Sequence, residues 1–88
     1  MSYKLRIDSA AGRELRQLDP QNLQDVVQVI SALKEDPRPP GCKMLTASKA
    51  RGWRVRAGKY RVLYLIDDSQ NVVNVYAVGL RDRVYKKR

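Results

Sequence analysis

Arg54, Arg56 and Arg61, followed by Arg81 and Tyr85, are the residues of this 88-residue chain whose types and spacing could do chemistry. Arg54 and Arg56 lie two apart in an alternating segment, Trp53 to Ala57 (WRVRA), so they project from one face of a strand. Arg61 is the single charge in the segment Tyr60 to Ile66 (YRVLYLI), one tight turn later. Whether it shares the face of Arg54 and Arg56 depends on the register of that turn. Arg81 and Arg83 follow the next apolar segment, and Tyr85 comes two residues after them. Guanidinium groups bind phosphate through a planar fork of donors. Several such forks could hold an RNA backbone and stabilise the negative charge that builds at phosphorus in a transition state. RNA brings its own nucleophile, the 2′-OH. Cleavage then requires positioning, charge stabilisation and proton transfer, without a metal or a covalent intermediate. The Tyr85 phenol could move a proton or stack on a base.

A plainer reading competes at each position. Strand arginines can simply solubilise a sheet, and a terminal tyrosine can anchor a tail by packing. Arg83, Lys86, Lys87 and Arg88 read as a solvated tail that attracts a partner. Arg61 differs, because a charge within an apolar central strand is costly unless it has a task or a partner. Asp67 or Asp82 could be that partner in a salt bridge. The charge distribution favours the polyanion reading. The chain carries 18 Lys+Arg against 9 Asp+Glu, a formal net charge of +9. Residues 1–36 hold five basic and six acidic side chains, whereas residues 37–88 hold thirteen basic and three acidic. Such asymmetry marks one region as an electrostatic footprint for nucleic acid or an anionic protein. Lys49, Arg51, Lys59 and Arg83 join Arg54 and Arg56 as candidate phosphate-binding side chains.

Histidine is absent, which rules out Cys/His zinc sites and histidine-based acid–base or triad catalysis. No glycine-rich phosphate loop is present. No metal or other cofactor is expected. The one cysteine, Cys42, cannot form an internal disulfide, which fits a reducing cytoplasm. No apolar run approaches the ~20 residues that span a bilayer, and the start, MSYKLRID, lacks the apolar stretch of a signal peptide. A cytoplasmic protein without membrane contact is expected.

The elements that must position these residues follow from periodicity. Tyr3 to Asp8 alternates, with Tyr3, Leu5 and Ile7 on the apolar side of a half-buried strand. Asp8-Ser9 can cap a short helix running to Leu18. Asp19-Pro20 starts a second helix, with aspartate at the cap and proline at the first turn. Its stripe of Leu23, Val26, Val27, Ile30 and Leu33 reads as core-facing, or more sharply as a partner groove. Asp36-Pro37 ends it. DPRPPGCKML (Asp36 to Leu45) reads as a rigid loop, and Thr46 to Arg51 as a polar, basic connection. Trp53 to Ala57, Tyr60 to Ile66 and Val72 to Val78 read as strands, joined by turns at Gly58-Lys59 and Asp67 to Asn71. Gly79 reads as the break before a basic tail. The order β-α-α-β-β-β predicts one α+β domain over residues 1–88, with both helices on one face of a small, mostly antiparallel sheet. The other face, with its arginines, should look outward.

The spacing of "DPRPPG", "YRVLY" and "VGLRDRVY" along one chain resembles the RelE/ParE family of bacterial and archaeal toxins, RelE-type in particular. The resemblance spans nearly the whole sequence. It implies a toxin of a type II toxin–antitoxin system that cuts messenger RNA in the ribosomal A site, by 2′-OH attack and without metal. It also implies silencing by a RelB-like antitoxin, expected as an acidic, partly disordered segment over the basic sheet face. By position, Arg61, Arg81 and Tyr85 match the RelE catalytic residues. Arg54 and Arg56 fall where RelE-type toxins carry lysines, and a guanidinium cannot easily serve as a general base. Leu80 stands where many relatives carry a histidine. Two other functions remain in view: a ParE-type inhibitor of DNA gyrase without nuclease activity, and a catalytically weakened module that binds RNA or antitoxin.

Overall fold

The computed structural model describes residues 2–46 and 51–80. Seven elements form: β1 (Lys4–Ile7), α1 (Ser9–Arg16), α2 (Pro20–Ala32), β2 (Lys43–Met44), β3 (Trp53–Ala57), β4 (Tyr60–Asp67) and β5 (Val72–Leu80). The expected α+β architecture gains one short strand, β2, from within the proline-rich loop. Two residues are too few to display an alternation, so nothing in the periodicity marks it. The sheet order is β1-β5-β4-β3-β2. β1 runs parallel to β5 at one edge, and the other pairs are antiparallel.

Both helices pack on one side of the sheet, α1 against β5 and α2 across β3 and β4. Their core residues, Ala11, Leu15, Val26 and Ile30, meet Val55, Val62, Tyr64, Val73, Val75 and Val78. The stripe on α2 is narrower than its sequence suggests. Val27 is 43% exposed, and Val29 packs on the core in its place. The 3.6-residue turn swings Val27 off the line through Val26, Ile30 and Leu33. Ile7 is likewise 42% exposed, at the end of an edge strand whose Leu5, with Tyr3 just before the strand, reaches the core.

The helix starts differ in detail. Asp19 caps α2 by accepting from the Asn22 amide at 3.2 Å, with Pro20 in the first turn. Asp8 occupies the same position before α1 but makes no cap bond. Its carboxylate accepts from Asn74 Nδ2 at 3.0 Å, tying the start of α1 to β5. α1 itself ends at Arg16, short of Leu18.

The hairpin between β3 and β4 closes through Gly58, whose φ of +62° suits a two-residue turn. Between β4 and β5, the Asp67 carboxylate accepts from the Ser69 amide (3.0 Å), the Ser69 hydroxyl (2.6 Å) and the Gln70 amide (3.2 Å). β5 does not break at Gly79. It continues to Leu80, pairing Gly79 with Arg61 and Leu80 with Tyr60, because a glycine within an established ladder costs less than abandoning two strand pairs.

A clamp fixes the proline-rich loop. The buried Tyr64 hydroxyl donates to the Pro37 carbonyl at 2.8 Å. Arg38 pairs with Asp68 at 2.8 Å and lies over the Trp53 ring, 5.2 Å from its centroid. Tyr3 donates its hydroxyl to the same Asp68 at 2.7 Å. With the loop held, the chain returns to the sheet edge as β2.

Candidate nucleic-acid interface

The strand registers decide which side chains share the helix-free face. Arg56 lies directly opposite Arg61, and Arg61 in turn opposite Gly79. One step further along, Lys43, Arg54, Leu63 and Ala77 form the next row. Opposed residues in an antiparallel pair have Cα atoms about 4.5–5.5 Å apart and point to the same side. The turn therefore brings Arg61 onto the face of Arg54 and Arg56. Three arginines and one lysine gather in two adjacent rows.

This face is only partly open. Leu63 and Ala77 are 0% exposed, with Leu45 and Tyr76 packed against them. The Tyr76 hydroxyl donates to the Arg51 carbonyl at 2.5 Å and accepts from the Arg51 amide at 3.3 Å. The expectation of a bare outer face is thus corrected: a second, small apolar cluster occupies its middle. Arg54 is drawn into that zone and is 8% exposed. Arg61 is half-buried and Arg56 exposed. Beside Arg54 and Arg56 lies a cleft of ≈310 Å³, lined also by Pro40, Gly41, Lys43 and Val55.

The electrostatics of the clamp keep this cleft wall in place. The Arg38 guanidinium, helped by the Tyr3 hydroxyl, holds the Asp68 carboxyl below its ordinary range. Hydrogen bonding to Asp68 pushes Tyr3 and Arg38 upward. Burial pushes the Tyr64 phenol well up. At neutral pH, then, Asp68 is anionic and both tyrosines are neutral, which is the state their hydrogen bonds require. Among the described residues, no three His, Cys, Asp or Glu side chains gather so that they could hold a metal ion. Nor, among them, is any helix long and apolar enough to cross a membrane.

Residues 5–85 match the family model described as "ParE toxin of type II toxin-antitoxin system, parDE". The chain belongs to the RelE/ParE family of type II toxin–antitoxin toxins. Toxin RelG of Mycobacterium tuberculosis is 34% identical over 88 residues, covering 99% of this chain and 100% of RelG. The fold is similar to that in the crystal structure of the toxin–antitoxin complex RelBE2 from M. tuberculosis, with a TM-score of 0.81 and 33% identity. That match covers 92% of this chain and 100% of the other. The intact E. coli RelBE toxin–antitoxin complex gives a TM-score of 0.72 at 26% identity, over 90% of this chain and 96% of the other.

Of the residues read from sequence as a RelE-type site, the sheet brings together Arg54, Arg56 and Arg61. Arg81, Arg83, Tyr85 and Lys49 lie outside the described residues. Lys59 sits in the β3–β4 turn with its ammonium 5.9 Å from the centre of the Tyr60 ring, on the helix side of the sheet, and does not join the arginine rows. Arg51 is exposed, and its backbone is held over the outer face by Tyr76. Asp67 cannot pair with Arg61. It faces its own turn, six strand residues or about 20 Å away; Asp82 lies outside the described residues. Leu80 pairs with Tyr60 and borders a cleft of ≈170 Å³ with Glu14, Gln17 and Leu18. It is therefore on the opposite side of the sheet from Arg56 and Arg61. Lys43 was missed. The strand that carries it, β2, is too short to show an alternation, so no periodicity in the sequence marks it.

Proposed function

We propose that this toxin is a ribosome-dependent endoribonuclease that cuts messenger RNA in the A site without a metal ion. The observation that carries this reading is the Arg56–Arg61 row, where two guanidinium groups share one face beside a side-chain-free Gly79. Leu80, the last described residue of β5, stands one residue past that row, and Arg81 follows it directly in the sequence. In the reaction, the RNA 2′ oxygen attacks the adjacent phosphorus as its proton departs. The bond from phosphorus to the 5′ oxygen of the next nucleotide breaks, and that oxygen gains a proton. Arg61 and Arg81 hold the phosphate and stabilise the charge on its oxygens as the transition state forms. Tyr85 transfers the proton, since Arg56 stays protonated. Its phenol, with an ordinary pKa near ~10, has to be lowered to do so. Arg54 and Arg56, with Lys49, Arg51 and Arg83, attract and align the strand.

Adding the protein to a programmed translation extract and mapping mRNA ends tests this. Cuts within A-site codons are expected, and Arg61→Ala, Arg81→Ala or Tyr85→Phe should each slow them by about 10²–10³, the usual cost of a lost transition-state donor. Intact A-site codons at stoichiometric protein would refute the proposal.

The expected partner is a RelB-like antitoxin bound over the basic sheet face. Two structural neighbours being complexes of toxin with antitoxin supports this. Restored translation on adding an acidic antitoxin chain, and its failure on a charge-neutralised sheet, are the outcomes to compare. A second reading, gyrase inhibition, is favoured by the ParE description of the matched family model. It predicts uncut mRNA together with DNA breaks and arrested supercoiling. A catalytically weakened toxin draws less support, because Leu80, in place of a histidine, faces away from the arginine rows.

A further inference from the structure

Lys43 has no part in the site read from the sequence, yet the fold gives it one. It stands opposite Arg54 across the β2–β3 pair, and the two line a cleft of ≈310 Å³ with Arg56, Pro40 and Gly41. Among the described residues, no acidic side chain lines this cleft. Arg54 is more than nine-tenths buried in its wall, so its guanidinium keeps little of the hydration that surface arginines enjoy. A desolvated cation at the edge of a cleft gains most from an anion that completes its hydrogen bonds. Lys43 adds a compact, mobile ammonium at the rim, and Arg56 links the cleft to the Arg61 row. The Tyr64–Pro37 and Arg38–Asp68 contacts hold the Pro40–Gly41 wall independently of any ligand.

We propose that this cleft is a second phosphate subsite, in which Lys43 and Arg54 take a flanking phosphate of the same RNA strand whose scissile phosphate lies at Arg61. The proposal deepens the RNA-cutting reading and rests on it for the identity of the strand. Its recognition is of backbone charge, so it is indifferent to base sequence.

The test is binding rather than cleavage. A short RNA, 2′-O-methylated throughout so that it cannot be cut, is titrated with the protein by fluorescence anisotropy at several salt concentrations. Lys43→Gln is the variant, because Lys43 is exposed on an edge strand and its loss leaves the core untouched. Lys34→Gln, on the turn after α2, removes the same charge away from the cleft. Lys43→Arg keeps the charge in place. A single-stranded phosphate contact contributes about 0.7 to the slope of log K against log salt. Lys43→Gln should therefore lower that slope by about 0.7 and weaken low-salt binding roughly tenfold, as the loss of one charge-assisted hydrogen bond implies. Lys43→Arg should restore both, and Lys34→Gln should change neither. Equal losses for Lys43→Gln and Lys34→Gln would reduce the effect to net charge and overturn the subsite. So would an unchanged slope, or failure of the unaltered protein to bind this RNA. Uncut mRNA combined with the expected Lys43 slope change would retain the subsite and remove only the nuclease reading.

Discussion

Replacing Arg56 by glutamine should raise stability while lowering function. Arg56 and Arg61 face each other across the β3–β4 pair. Like charges directly opposed on a sheet face destabilise it, by about 0.2–1 kcal/mol. Glutamine keeps most of the stem and removes the charge, so a gain near the middle of that range, ~0.5 kcal/mol, is expected. In a domain of this length 1 kcal/mol shifts Tm by about 4–8 °C, and the variant should melt some 2–4 °C higher at low salt. Screening supplies the diagnostic. The Debye length falls from about 10 Å at 0.1 M salt to about 3 Å at 1 M, so the gain should largely vanish there. Calorimetric melts at both salt concentrations read the stability, and mRNA cleavage in a translation extract reads the function, which should fall. Lys34→Gln reports what the loss of one positive charge does to a chain of net charge +9. A lower Tm for Arg56→Gln, a gain no larger than that of Lys34→Gln, or a gain undiminished at 1 M salt would refute the reasoning. Any of these would mean that the two side chains do not oppose each other as the register implies.

Four further substitutions test the scaffold. Gly52 has a φ of +90°, and a Cβ there would lie 2.3 Å from the Tyr64 carbonyl oxygen, so Gly52→Ala should cost more than about 2 kcal/mol in urea unfolding. Tyr64→Phe leaves the Pro37 carbonyl without its donor and should cost about 1–3 kcal/mol, with an unchanged urea m-value. Asp68 has a lowered pKa in the folded protein. Its contribution is therefore complete above the unfolded value of about 3.9 and is lost as pH falls through the folded one. Asp68→Asn should flatten the acid limb of a stability–pH curve below about pH 4, and an unaltered limb would exclude the clamp. Tyr3 is raised, so its contribution is complete below about pH 10 and is lost as pH rises through the folded value. Tyr3→Phe should flatten that alkaline limb.

Long periodic segments were legible in the sequence because their periodicity is what burial selects. Trp53 to Ala57 forms a strand where the alternation implies, Tyr60 to Ile66 one where the apolar run implies, and the Asp19-Pro20 start of α2 follows from backbone chemistry alone. What stayed hidden depended on distant partners. β2 exists because Arg38 and Tyr64 pin a loop more than twenty residues from the strands that hold it. Arg54 looked like one more exposed arginine, but Leu45 and Tyr76, from two other segments, meet on its face. The face shared by Arg56 and Arg61 is fixed by one turn, and the alternation on either side of that turn is compatible with either register. Val27 shows the reverse problem, where a residue fits the helical pattern locally but lies one turn-step off the line through Val26, Ile30 and Leu33 and stays exposed.

The irregularity in β5 links the core to the arginine rows. Val73 and Val75 face the helices, as does Val78, although an interval of three breaks the strand period of two. The register shifts where Leu63 pairs with Ala77 and Tyr64 with Val75, leaving Tyr76 as the extra residue. Tyr76 and Ala77 both take the outer side, packed with Leu63. A regular strand would have sent Ala77 and Gly79 under the helices and turned Val78 outward, robbing the core of volume. The bulge gives the core its valine and places Gly79 in line with Arg61 and Arg56. The one residue of that row without a side chain thus stands beside its central arginine, so β5 raises no wall against a phosphate approaching from that side. Bulges recur where a sheet must re-aim side chains next to a functional site. Here a single extra residue serves packing on one face and access on the other.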